Sequence, residues 1–129
     1  MSRKSVISHI KSQYGVEPDF PWEGDLISGV FRHKDNRKWF ALIMKVGRDK
    51  LGLEGDKSVD CMNLKIDDPM LHDTLCHEKG IMPSYHMNKR HWITVLLDGT
   101  VPEKKVFGLI DISYQATMSR QRKRNVSSS

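Results

Sequence analysis

Cysteine is scarce in this sequence: two in 129 residues, Cys61 and Cys76, fifteen positions apart and without Cys-x-x-Cys spacing. That excludes a disulfide-stapled scaffold and a zinc ribbon, and it suits reduced thiols in a reducing compartment. Long apolar runs are also missing. No window approaches the roughly 18 consecutive apolar residues of a membrane helix, and the opening residues Ser2 to His9 hold no apolar core of signal-peptide length. A cytoplasmic protein with no membrane contact is the expectation. No internal repeat is present. The glycines Gly47, Gly52 and Gly55 are not followed by Gly-Lys-Ser/Thr, so they read as a flexible turn and not as a phosphate loop. No Gly-x-Ser-x-Gly turn presents a nucleophile, and Cys76 and His77, as helix neighbours, point in different directions, so no enzymatic activity is expected.

Acid is absent from the last ten residues, and this decides how the formal charge of +5 is read. Arg120, Arg122, Lys123 and Arg124 lie there, so residues 1–119 carry only one net positive charge. Whole-domain charge therefore gives no argument for nucleic acid, and any such argument must rest on local patches. What is present is ordinary for a globular chain: 38% hydrophobic and 29% charged residues, enough for one domain with its own core.

In chain order, Val6, Ile7, Ile10 and Tyr14 recur at helical spacing between a Ser2 or Ser5 cap and Gly15, which predicts a helix over 3–14. Pro18 and Pro21 make 17–24 a structured loop whose aromatics Phe20 and Trp22 are expected to be buried. Residues 26–33 and 38–46 read as an antiparallel hairpin around Lys34-Asp35-Asn36-Arg37. Residues 47–57 form a loop with a short extended piece around Leu51 to Leu53, and 58–66 alternate as a third strand. Asp67-Asp68-Pro69 starts a short helix with Met70, Leu71, Leu75 and Cys76 on its buried face and Gly80 as its stop. Pro102 opens a last helix reaching Met118, with Val106, Leu109, Ile110, Ser113, Ala116 and Thr117 on one side. The order predicts an α+β fold, one antiparallel sheet with helices packed on one face, over a domain of residues 1–118. Residues 119–129 read as a basic, disordered tail.

The densest stretch runs from Met82 to Leu97 and places Tyr85, His86, Asn88, Lys89, Arg90, His91 and Trp92 directly before an apolar strand. Trp92 and Ile93 to Leu97 read as core. His86, Asn88 and Lys89 suit either a recognition surface or a polar network that fixes the loop. The histidines His72, His77, His86 and His91, with Cys76, have no fixed second half of a metal-ligand pattern, so no metal site and no cofactor is expected. The cations Arg32, Lys34, Arg37 and Lys38 crowd the hairpin tip, and Trp39, Tyr85 and Trp92 stand among the polar groups. A projecting basic hairpin could meet phosphates while Asn88 meets a base edge or a sugar.

The runs Met62-Asn63-Leu64-Lys65, Pro83-Ser84-Tyr85-His86-Met87-Asn88-Lys89-Arg90-His91-Trp92-Ile93-Thr94-Val95, Leu97-Asp98-Gly99 and Leu109-Ile110-Asp111-Ile112-Ser113-Tyr114 resemble the MmcQ/YjbR family. The resemblance covers residues 3 to 118. It implies a CyaY-like, two-layer α+β fold and DNA binding through a double-wing surface. The sequence-level expectation is thus a monomeric, non-enzymatic DNA-binding protein using Arg32, Lys34, Arg37, Lys38, His86, Asn88, Lys89 and Arg90. Two alternatives stay open. One is a protein-binding adaptor, like a secretion chaperone, that uses the sheet face; the other is a small-ligand pocket around His86, Asn88 and Trp92.

Overall fold

The computed structural model describes residues 2–120; the expected disordered tail lies, beyond Arg120, outside the described residues. Three helices, α1 (Arg3–Tyr14), α2 (Pro69–Cys76) and α3 (Glu103–Ala116), accompany five strands: β1 (Gly29–Arg32), β2 (Trp39–Gly47), β3 (Ser58–Lys65), β4 (Ile81–Pro83) and β5 (Trp92–Leu96). The strands form one antiparallel sheet in the order β1-β2-β3-β5-β4. The fold is α+β, as the order of sequence signals predicts.

Local chemistry sets the helix ends. Ser2 and Ser5 cap one another reciprocally at the start of α1, and Gly15, at φ 68°, closes it in the left-handed conformation that glycine adopts without strain. At α2 the Asp68 carboxylate accepts from Met70 N and Leu71 N, with Pro69 in the first turn. That helix stops at Cys76, four residues before Gly80, because the chain turns at His77, whose ring Nδ1 donates to the Asp73 carbonyl, 2.7 Å away. Met70, expected inside, is 80% exposed; Leu75 alone of this helix is fully buried.

The helices cover one face of the sheet. Val6 and Ile10 of α1, Leu75 of α2, and Val106, Leu109 and Ile110 of α3 pack on Phe31, Phe40, Ile43, Met62, Leu64, Ile93 and Val95. Burial at about 1.5–3 kcal/mol per large apolar side chain makes this face the main source of stability. Ser113 fastens the two layers: its hydroxyl donates to the Phe40 carbonyl and accepts from Lys65 N, both in the sheet.

The opposite face has no helix yet is apolar too. Val30, Leu42, Met44, Val46, Val59, Cys61 and Leu96 form a second cluster, roofed by loops. At one end the roof is Leu51 and Leu53. The expected extended piece there is instead a 3-10 turn, Arg48–Leu51, closed by Gly52 and by the Arg48 guanidinium on the Glu54 carbonyl.

One irregularity sets which side chains reach this second face. Phe31 pairs with Ala41 but Arg32 pairs with Trp39, so Phe40 is an extra residue in β2. This β-bulge lets Phe40 and Ala41 both join the helix-side core and turns Trp39 outward, opposite Arg32. The sheet's rims are short: β4 has three residues ending at Pro83, and Asp19 brackets Val30 of β1 with two backbone bonds of 2.8 Å.

Candidate functional site

Two loops stand over the helix-free face and leave a cleft of about 680 Å³ between them. Leu42 and Met44 of β2 line it, with Trp39 at the start of that strand. Trp22, Asp25 and Ser28 come from the loop before β1, and His86, Met87 and Asn88 from the loop between β4 and β5, which ends at Trp92. All three tryptophans of the chain therefore meet in one place.

Each wall is pinned by the backbone. In the first loop the Asp25 carboxylate accepts from Ile27 N (2.8 Å) and Ser28 N (2.9 Å), while Asp25 N donates to the Trp22 carbonyl. Those donors, Ser28 first and then Ile27, hold the Asp25 carboxyl below the usual range, so it is an anion at neutral pH. Arg3 reaches across from α1 to the Ile27 carbonyl and pairs with Asp60 at 3.7 Å. The rings of Trp22 and Trp39 meet edge to face, 6.0 Å apart and 86° to one another. Phe20 and Trp22, expected inside, stay 37% and 41% exposed, and Leu26 and Ile27 extend this apolar rim.

The second loop hangs on a buried polar network. Asn63 of β3 donates from its side-chain amide to the Tyr85 carbonyl (2.8 Å) and accepts from Thr94 Oγ1 (2.6 Å), which in turn accepts from Tyr85 N (2.9 Å). Asn63, Ser84 and Thr94 are fully buried. Further along, Lys89 Nζ donates to the Ser84 carbonyl (2.8 Å), Asn88 Oδ1 accepts from Arg90 N (2.8 Å), and the Asn88 carbonyl accepts from Trp92 N (2.9 Å). His86, at φ 73°, is one of only two non-glycine residues with positive φ among those described, and it lies exposed at the cleft with its ring 3.9 Å from Tyr85. A non-glycine side chain held there is strained, and such strain gathers at binding sites.

The residues singled out in the sequence now divide. Lys89 supports the loop, Asn88 both supports it and lines the cleft, and His86 lines it. Trp92, expected in the core, is a half-buried cleft wall, because β5 alternates and Trp92 shares the helix-free face with Thr94 and Leu96. Arg32 pairs with Asp19 at 3.3 Å and sits over the Trp39 ring at 5.7 Å. The hairpin tip with Lys34, Arg37 and Lys38 does not project freely. Asn36 Nδ2 donates to the Thr117 carbonyl (3.0 Å) and His33 meets Thr117 Oγ1 (2.7 Å), which docks the tip on the end of α3. Arg90 is exposed. The cleft residues that sequence reading missed are Trp22, Asp25, Ser28, Leu42, Met44 and Met87, whereas Trp39 stands out there as an aromatic among the polar groups.

The His72 ring is bonded to the Trp92 carbonyl (3.0 Å) and lies 3.8 Å from Cys76 Sγ; among the described residues no group of three or more His, Cys, Asp or Glu is placed to hold a metal ion. Burial, with Asp60 next to it, pushes the Cys61 thiol up to about 12, and burial raises Cys76 as well. Among the described residues no helix is long and apolar enough to cross a membrane.

Comparison with known proteins agrees with this architecture. A family model described as YjbR matches residues 11–116. YyaQ of Bacillus subtilis is 41% identical over 91% of this chain and 98% of its own, and YjbR of Escherichia coli is 46% identical over 30% of this chain and 33% of its own. A crystal structure of a protein from Pseudomonas syringae superposes with a TM-score of 0.88 at 46% identity, covering 92% of this chain and all of that one. Protein DR2400 of Deinococcus radiodurans superposes with a TM-score of 0.68 at 25% identity, covering 96% of this chain and 86% of that one. The chain belongs to the YjbR family.

Proposed function

We propose that this is a non-catalytic binding protein of the cytoplasm whose ligand, a compact small molecule that brings apolar groups to the walls, occupies the cleft on the helix-free face. The observation that carries this reading is the convergence of all three tryptophans on a cleft that, among the described residues, no lysine or arginine lines. Its volume falls within the roughly 300–1,000 Å³ of small-molecule sites, and its mix of aromatic walls with a few fixed polar groups is the usual make-up of such sites. A non-catalytic role is supported by the chemistry of the nucleophiles. The two thiols are held protonated by burial, and the cleft hydroxyl, Ser28, bonds to the Asp25 carboxylate, which its donors hold below the usual range and so make a poor base.

Because every tryptophan lines the cleft, indole emission reports on it alone. Titration with 4-tert-butylphenol, a neutral compact probe, should shift that emission to the blue and saturate. A response that stays linear and matches that of free N-acetyltryptophanamide would sink the reading.

A second reading, duplex DNA, is favoured by the exposed cations Lys34, Lys38 and Arg90, with Arg37, at the same end of the sheet. Arg32 is paired with Asp19 and Lys89 is bonded to the Ser84 carbonyl, so about four phosphates would be met and log affinity should fall with log salt at a slope near −3.6. Wild type that shows no binding to labelled duplex at low salt, or a Lys34→Glu, Arg37→Glu, Lys38→Glu variant that binds as well as wild type, would remove the hairpin from consideration.

A further inference from the structure

The charge of the cleft narrows its ligand further, on the premise that the cleft is the binding site. Among the described residues that line it Asp25 is the only carboxylate and none is lysine or arginine, although the Arg3 guanidinium, on the Ile27 carbonyl, also acts on Asp25. Apolar walls with one anion discriminate against anionic ligands and favour cations. The walls suit the same charge. Trp22 and Trp39 stand at right angles, edge to face and 6.0 Å apart, with Trp92 as a third ring on the cleft. Indole faces attract cations more strongly than the other aromatic side chains. Trp39 already shows this in the fold itself, since the Arg32 guanidinium lies 5.7 Å from its ring. Met44 and Met87 add polarizable thioether surface that adapts to a rounded head group.

We propose that the cleft binds the alkylated ammonium head of a small cationic ligand, with the tryptophans around the alkyl groups and Asp25 as counter-charge. A bare ammonium suits the site less well, because it is strongly hydrated and the cleft offers few hydrogen-bond acceptors to replace that water. Alkyl groups spread the charge and bring apolar surface to the rings.

Choline and its neutral carbon isostere 3,3-dimethylbutan-1-ol share shape and hydroxyl and differ in charge. In tryptophan-emission titrations at low salt, choline should bind about tenfold more tightly than the isostere. Asp25→Asn keeps an oxygen for Ile27 N and Ser28 N; it should weaken choline about threefold and leave the isostere unchanged, and added salt should erase that difference. Trp22→Leu replaces a π face by a smaller alkyl wall at a half-exposed position and should weaken choline by more than it weakens the isostere. Equal binding of both compounds, insensitive to Asp25→Asn and Trp22→Leu, would overturn the cationic assignment while leaving an apolar cleft intact. Saturable 4-tert-butylphenol binding with no response to choline would do the same. No saturable response to any of the three compounds would remove both the assignment and the cleft reading beneath it.

Discussion

Replacing Thr94 by valine, nearly the same shape, is expected to destabilise the protein by about 2–3 kcal/mol, because the hydroxyl lost is buried and holds two partners. Tyr85 N and Asn63 Oδ1 would be left without it in a region closed to water. Asn63→Ala should cost a similar amount, since it leaves the Tyr85 carbonyl with only the longer bond from Ser84 Oγ (3.3 Å) and the Thr94 hydroxyl without its acceptor. The two side chains serve one network, so the double variant should cost less than the sum of the singles. Thr94→Ser, which retains the hydroxyl, should lose about 1 kcal/mol or less, the value of one buried methyl. Thermal or urea unfolding measures all four. A Thr94→Val protein within about 0.5 kcal/mol of wild type would show that the network does not hold the loop. The same variants should redden Trp92 emission, because the loop that this network suspends ends at that residue.

The largest effect on binding is expected at Trp39. Trp39→Ala removes the ring that the bulge turns into the cleft and that meets Trp22 edge to face. Truncating a tryptophan at the centre of a binding site typically costs about 2 kcal/mol or more, so affinity for 4-tert-butylphenol should fall about thirtyfold. Trp39→Phe, which keeps an aromatic wall, should stay within about tenfold of wild type. Emission of the remaining tryptophans still reports binding, and a thermal melt separates lost affinity from lost fold. Unchanged affinity in a folded Trp39→Ala protein would place the ligand elsewhere.

Most of the architecture could be read from residue order. The Ser2 and Asp68 caps, Gly15, and the alternation of Val59 to Leu64 are local signals with local causes, and they placed α1, β3 and the start of α2 within a residue or two. The cleft was legible in part, because His86, Asn88 and Trp92 lie close together in the chain. Its other wall was not. Trp22 comes from a proline-rich loop whose fold depends on Asp19 pairing with Val30 and on Arg3 reaching Ile27, contacts that no periodicity announces. Trp39 faces the cleft only because Phe40 bulges, and within the apolar run Trp39-Phe40-Ala41 any of the three could have been the extra residue. The cations misled for a related reason. Arg32 and Lys89 look free in sequence, yet one finds Asp19 and the Trp39 ring and the other finds the Ser84 carbonyl.

The rims of the sheet bear on how this protein behaves when crowded. An open sheet normally exposes two rows of unpaired backbone groups, each a template for a strand from another molecule. Here one rim is only three residues long and ends in Pro83, which has no N–H to offer, and on the other Val30 already exchanges both of its backbone bonds with Asp19. Strand exchange and edge-on stacking into fibrils are thereby suppressed. The protein can keep an adhesive aromatic surface exposed without polymerising through its sheet.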